Sequence, residues 1–453
     1  MDSLPNELLI QIASHLELPP PSVVKFAQEP SSDLTRSEEL HLKALSQVSW
    51  RWRKVVLPVL FKYSRITLDD APQWVPIDAR LIETMQSQLS QLSGHELQIY
   101  QKMRNKFKST PSAFDEVFDD LQINLCRIQP GDDFLSSSTH ILWFPHLPDS
   151  FVDFTHFVNK YDLKHHIKSL AVSTPREYEL RHVSQADSPL IRAVAEIWSN
   201  VFAHFEPSRV IVAAPPTTLA GLLDTPMMGS DAWAFEMKMH YVELVQPGNA
   251  NHSDSCRPWD TALIHRRPWS HVGYNEGSSI TAYSTYEYHL KQSPKMLYLL
   301  ILRLSKEVQP CCNIQSFSFV GVFPFSTNIT PITKALFKIR SLRRIQFQLA
   351  PGPENNLLST PKKLGRAQPG DLWLEWNDSY KVIAEFIDAF DFEDGAEFIS
   401  TDCNEAARES EVEHYMQLLQ GRGIGWKQTG TGAWLRDHSL DKATVDATYA
   451  GVV

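Results

Sequence analysis

Four side chains able to hold a metal fall within one short stretch of the sequence: His252, Cys256, His265 and His271. Imidazole nitrogens and a thiolate are the donors zinc takes, either to close a structural site or to activate a water. The spacing H-x3-C-x8-H-x5-H fits no common closed site, and no C-x-x-C pair stands anywhere in the chain. Zinc is therefore not expected. The run AFDFEDGAEFIS has the acids and the glycine of a calcium loop. With Gly395 at the sixth loop position, however, the first and third fall on Phe390 and Phe392, which carry no side-chain oxygen. Neither a G-x-S-x-G elbow nor a P-loop is present. GRGIG and GTGAW near the end read as turns, and the pairs Asp119-Asp120 and Asp132-Asp133 are ordinary in an acidic chain. No catalytic residue, no metal and no cofactor are expected.

The same region is rich in aromatic side chains. Residues 246–289 form a long polar stretch that includes Trp259, Trp269, Tyr274 and Tyr283. Segments of this length without regular structure are usually functional or disordered. Disordered ones are poor in aromatics. The stretch is expected to be a loop folded over one face of its domain, with those four residues as part of a recognition surface. Packing of an insertion onto its own domain explains them equally well. An enzyme pocket beneath the loop is a further alternative, suggested by its His and Tyr content.

The bulk properties bound the rest. With 453 residues, two or three domains are expected. A net charge of -10 gives no broad basic face and argues against nucleic acid as a partner. The scattered cysteines (Cys126, Cys256, Cys311, Cys312 and Cys403) suggest reduced thiols in a cytoplasmic or nuclear compartment. The opening MDSLPNELL has no basic region followed by an apolar core, so no secretory signal is expected. The run KMLYLLILRL is too short to cross a bilayer, so no membrane is expected as a partner.

Two helices are expected at the start. In LPNELLIQIASHL, Pro5 suits a helix start, Glu7 favours the positive end of the dipole, and Leu8, Leu9, Ile12, Ala13 and Leu16 recur at helical spacing. In LKALSQVSWRWRKVVLPVLF, Leu42, Leu45, Ser49, Trp52 and Val56 form a second stripe, which Pro58 should end or kink. Two such helices packed as a hairpin leave apolar edges, and such edges usually mark a partner.

These residues resemble an F-box. Leu4, Pro5, Glu7, Leu8, Leu9, Ile12 and Leu16 match the first part of the family's pattern, and Leu45, Val48, Ser49, Trp52 and Arg53 match the second. Trp50 departs from it, standing where the family commonly has a basic residue. An extra segment at about 23–41, containing EPSSDLTRSEE, reads as a polar loop between the two halves. The resemblance implies a docking surface for the Skp-type adaptor of a cullin ubiquitin ligase. That surface would be built from Leu4, Pro5, Leu8, Ile12, Leu16, Leu45, Val48, Trp50 and Trp52.

Residues 1–68 are thus expected to be the F-box domain, and 69–137 a helical linker with Leu81, Met85, Leu89 and Leu92 in step. From 138 to 453 short strands alternate with amphipathic helices. Strands are expected at 166–172, 208–214, 313–321, 342–350 and 396–400. Helices should open at Ser188-Pro189, Ser293-Pro294 and Thr330-Pro331, a further one is capped by Asp378, and a last one ends near Gly421. Three strands share the form apolar-x-x-apolar-x-apolar: Ile167, Leu170, Val172; Ile314, Phe317, Phe319; and Leu342, Ile345, Phe347. That form is similar to the leucine-rich repeat strand. The fold class expected is a small all-α module followed by an irregular α/β leucine-rich-repeat-like solenoid, with a compact α/β sandwich as the alternative. The function expected is a non-catalytic substrate adaptor of a Skp–cullin–F-box ubiquitin ligase, bridging the Skp-type adaptor to an unidentified protein target. A Skp-binding scaffold acting outside ubiquitination is the alternative.

Overall fold

A computed structural model describes residues 4–36, 40–70, 74–75, 139–140, 145–177, 188–225, 239–248, 256–260, 262–283, 294–306, 312–352, 358 and 368–441. The helical linker expected at 69–137 lies almost wholly outside them.

Apolar periodicity of 3.6 shapes the start of the chain. Helix α1 spans Asn6–His15, α2 spans Leu40–Leu45 and α3 spans Trp50–Leu60. Pro5 takes the N-cap position of α1 rather than its first turn, and Ser49 caps α3 by accepting from the Trp52 amide. Pro58 sits inside α3 without ending it. The three helices close on a small core of Leu9, Ala13, Leu42, Trp52, Val55 and Val56. Each aliphatic side chain so buried contributes about 1.5–3 kcal/mol.

Beyond α3 the chain builds an open sheet of ten strands. They are β1 (Tyr63–Thr67), β2 (Ser169–Ser173), β3 (Arg209–Ala214), β4 (His240–Val245), β5 (His271–Ser278), β6 (Ser316–Val322), β7 (Arg344–Gln348), β8 (Glu397–Ser400), β9 (Trp426–Gly430) and β10 (Ala433–Arg436). Their order is β1-β2-β3-β4-β5-β6-β7-β8-β10-β9, so almost every strand lies beside its predecessor in the chain. β1, β2 and β3 are parallel, as are β5 to β8. β4 and β10 run antiparallel to both their neighbours. The fold is therefore mixed α/β on a mostly parallel sheet.

Helices cover one face: α4 (Ser150–Lys160), α5 (Ser188–His204), α6 (Pro216–Leu222), α7 (Met296–Lys306), α8 (Ser326–Leu336), α9 (Pro369–Ala389) and α10 (Ala406–Gly421). Every second strand residue points at them. Leu170 and Val172, Val210 and Val212, Phe317 and Phe319, and Ile345 and Phe347 share one core with Trp198, Leu300, Leu336, Trp376 and Met416. The apolar triplets read from the sequence all lie in that core. Two helix starts differ from expectation. α8 opens at Ser326, a turn before Pro331, which sits in its interior, and Asp378 lies mid-way along α9 rather than capping it.

The segment expected as a loop at 246–289 is corrected by the structure. It contains the central strand β5 and two short helices, Leu263–Arg266 and Ile280–Tyr283. HVGYNEGS carries two glycines and four polar residues, a composition that reads as a turn. It is held as a strand by β4 and β6 on its two sides. The cysteines are corrected as well. Cys256 is disulfide-bonded to a partner outside the described residues, while Cys312 and Cys403 are free and buried. Sequence spacing without a C-x-x-C pair conceals a pairing made through the fold.

Candidate functional site

The N-terminal module keeps one flank open. Residues spaced by four along α1 separate into two adjacent stripes. Leu9 and Ala13 enter the module's core, whereas Leu8 (43% exposed), Ile12 and Leu16 face outward. At the start of α3, Trp50 is 68% exposed and Val48, just before it, 66%. Arg51 ties the two helix starts together, donating to the Leu4 carbonyl and, at 3.0 Å, to Asn6 Oδ1. Leu8 therefore lies near the tied helix starts, and Ile12 and Leu16 continue its stripe along α1 to the other end. Leu40 and Leu18 are exposed as well. The module thus leaves several large apolar side chains in solvent, and apolar surface exposed in this amount is commonly a protein contact.

The residues expected to dock thus fall into two groups. Leu8, Ile12, Leu16, Val48, Trp50 and Pro5 are exposed. Trp52 is only 3% exposed and belongs to the core, with Leu4 and Leu45 half-buried against it. Trp52 therefore holds the helices together and offers nothing to a partner.

The module is fixed to the body through α3 and the residues that follow it, with Trp50 at the margin of that contact. Leu57 of α3 enters the main core, and the Phe61 ring lies 5.2 Å from Phe157 and 6.1 Å from Phe154 of α4. The Arg53 guanidinium spans the Trp50, Phe157 and Tyr161 rings. Lys62 donates to Glu17 at 2.7 Å, and that hydrogen bond raises the lysine's pKa.

The segment expected as a polar loop does more than connect. Residues 20–36 cross the sheet face opposite the helices. Phe26 and Leu34 are buried there with Ala171 of β2, Ile211 and Ala213 of β3, and Tyr241 of β4. Side chains from the sheet then hold the crossing backbone. Arg209 donates to the Ser22 carbonyl at 3.1 Å and to its hydroxyl at 3.3 Å. Tyr241 Oη accepts from the Ser31 amide and donates to the Ser31 carbonyl at 2.7 Å. Asn275 Nδ2 donates to the Phe26 and Gln28 carbonyls, and Gln348 Nε2 to the Ala27 carbonyl at 3.3 Å. Burial works against the Glu243 carboxylate behind Arg209. The hydrogen bond from His271 and the Arg209 charge nevertheless bring its pKa below the ordinary value. Sequence patterning gives no sign of this grip, because its members are scattered polar side chains on four different strands that only the fold brings over one segment.

The aromatic residues expected to form a recognition surface are not brought together on one. Trp269, Tyr274 and Tyr283 are buried in the main core. Each polar tip is satisfied inside: Trp269 Nε1 donates to the Leu263 carbonyl at 3.3 Å, and Tyr283 Oη to the Phe323 carbonyl at 3.1 Å. Tyr274 Oη lies 2.5 Å from His240 Nδ1, whose pKa burial pushes down to about 3. Only Trp259 is open, at 78%. The four residues with metal-ligand chemistry do not converge either. His265 is buried, His271 contacts Ser316 Oγ at 2.9 Å, Cys256 is in its disulfide, and His252 lies outside the described residues. Among the described residues no cluster of donors suits a metal, and no helix is long and apolar enough to cross a membrane. In comparisons with protein-family models, with curated proteins and with solved structures, nothing matches this chain.

Proposed function

We propose that this chain is a non-catalytic adaptor whose N-terminal module docks on a Skp-type adaptor of a cullin ubiquitin ligase, while its α/β body presents a protein target. The observation that carries the reading is the open apolar flank of Leu8, Ile12, Leu16, Val48 and Trp50. All but Trp50, which departs from the pattern, belong to the same two spaced motifs that resemble an F-box. A partner covering them would remove the largest exposed apolar patch of the module from water. The chain-order arrangement of strands, with helices on one face, favours an irregular leucine-rich-repeat-like body in which each strand-helix unit leans on the next. The mechanism is proximity. Holding target and ubiquitin carrier in one complex raises their effective concentration with no chemistry in this chain.

The test is co-purification of the full chain with a Skp-type adaptor, comparing wild type with Leu8→Asp. A buried charge at that contact should abolish recovery while the thermal melt stays unchanged, since Leu8 is outside the module's core. Equal recovery of both proteins overturns the reading. Recruitment of a cullin by the same complex separates a ligase subunit from a Skp-binding scaffold. One further observation favours a ligand pocket in the body: the unpartnered carboxyl of Glu276.

A further inference from the structure

Glu276 is placed by a defect in the sheet. Between β5 and β6 the register pairs Asn275 with Val320 and then Gly277 with Gly321, leaving Glu276 as the extra residue of a β-bulge. Bulges re-aim a side chain at the cost of ladder hydrogen bonds. Here three features maintain it. Gly277 takes φ +78°, a conformation that favours glycine, and its amide donates to Asn275 Oδ1 at 2.8 Å. Gly321 supplies the space. A Cβ there would lie 3.0 Å from Glu276 Oε1 and 2.8 Å from the Phe319 ring.

The carboxyl so placed is 4% exposed, and its Oε1 has no hydrogen-bond partner. A buried polar atom left unpaired costs about 1–3 kcal/mol, more if charged, and a native structure keeps few of them. Glu276 lines an open cavity of about 260 Å³ between β5, α7 and α8, walled by Leu297, Tyr298, Asn328 and Ile332. Burial pushes its pKa up to about 8. Lys295, at the rim, is exposed, Tyr298 is the other titratable side chain lining the cavity, and Tyr274 on β5 feels the Glu276 charge.

We infer that this cavity is a binding site for a ligand carrying a guanidinium or primary ammonium on a short apolar stem, the cation pairing with Glu276 and the stem lying against Leu297 and Ile332. The site stands apart from the docking flank and does not depend on the adaptor reading. An ionised carboxylate paired with such a group gains charge-assisted hydrogen bonds, one of them at the Oε1 that has no partner within the protein. The cation can come from a free small molecule or from an arginine or lysine side chain of a bound protein.

Isothermal titration of the full chain with n-butylguanidinium, with n-butylurea and with Nα-acetyl-arginine N-methylamide tests this, alongside Glu276→Gln. Wild type is expected to bind n-butylguanidinium, and Glu276→Gln to lose about ten- to a hundredfold in affinity. The neutral urea should be as weak on wild type as the cation is on Glu276→Gln. At pH 7 the wild type alone should release a proton on binding, seen as a heat that changes with the ionisation enthalpy of the buffer. Binding of the arginine derivative as tightly as the free guanidinium points to a protein side chain, and exclusion of it to a small molecule. Melting of Glu276→Gln at pH 5 should match wild type, whose carboxyl is protonated there. The inference is overturned if Glu276→Gln or the urea binds as well as the charged pair, or if neither cation binds folded wild type at about 10 mM.

Discussion

Asn275 in β5 donates its side-chain amide to the carbonyls of Phe26 and Gln28, which stand 249 and 247 residues earlier in the chain. The contact joins the segment that follows the first N-terminal helix to the middle of the sheet. It reads backbone and not side chains, as do the bonds from Arg209, Tyr241 and Gln348 beside it. The crossing segment is therefore fixed by its shape and by two apolar anchors, Phe26 and Leu34.

Replacing Asn275 by Ala should free residues 20–36 without unfolding the sheet. Two carbonyls lose their partner where water has little access, a loss of about 1–3 kcal/mol. Amide exchange of the crossing segment should accelerate while that of β6 and β7 stays slow. Unchanged exchange across 20–36 would show that the apolar anchors suffice alone.

Asp402 should be among the costliest single losses in the body. Its carboxylate is buried and accepts from the Leu349 and Ala350 amides, Trp376 Nε1 and Tyr380 Oη, all within 3.1 Å. It thereby joins the end of β7 to α9. Burial raises its pKa, and these donors act in the opposite sense. Asp402→Ala leaves the Leu349 and Ala350 amides and Trp376 Nε1 unpaired in the core, and Tyr380 Oη with Ser400 alone, so a loss of about 3 kcal/mol or more is expected in urea unfolding. A loss under about 1 kcal/mol would mean that the donors find other partners.

Stability should be flat in mildly acidic solution and fall on both sides, for two separate reasons. His240 has its pKa pushed down to about 3 from 6.5, so below pH 6.5 the unfolded chain takes up a proton that the folded chain refuses, and stability drops as pH falls toward 3. Glu276 has its pKa pushed up to about 8 from 4.5, so its contribution is complete below pH 4.5 and is lost as pH rises through 8. Between 4.5 and 6.5 the two slopes oppose each other. Each slope is at most about 1.4 kcal/mol per pH unit. Glu276→Gln should gain on wild type in melting temperature from pH 6.5 to 8 and match it at pH 5. A difference independent of pH would remove Glu276 as the cause.

Much of the architecture is legible from periodicity alone. The strands around Leu170, Val210, Phe317, Ile345 and Phe398 announce themselves because alternate apolar residues must reach the helix-covered face. β4 and β5 do not. His240, Glu243, Asn275 and Glu276 are polar residues whose partners are supplied only by the fold, or left unsupplied at the bulge. Pro58 and Pro331 mislead for a related reason. Proline disfavours a helix interior by about 3 kcal/mol. Here the surrounding packing holds both helices through it. The apolar stripe of the first helix is visible as a pattern, yet its division into core and surface is not, since Leu8 and Leu9 are neighbours of one type and only the position of α3 decides which is covered.

The pair Trp50 and Trp52 offers the sharpest test of that division. They are two residues apart on α3, so they face opposite sides of the helix, one to solvent and one into the core with Leu9, Ala13 and Leu42. Trp52→Ala should open a cavity and cost about 3–5 kcal/mol. Its melting temperature should fall, and any loss of docking should follow that fall. Trp50→Ala should leave the melt unchanged and still weaken recovery of a Skp-type adaptor by about tenfold or more, as exposed tryptophans at interface centres do. The reverse result, with Trp50→Ala unfolding the module and Trp52→Ala leaving it intact, would mean that α3 is rotated by half a turn from the position described. If Trp50→Ala changes neither melt nor recovery, the partner's contact must centre on Leu8, Ile12 and Leu16 instead.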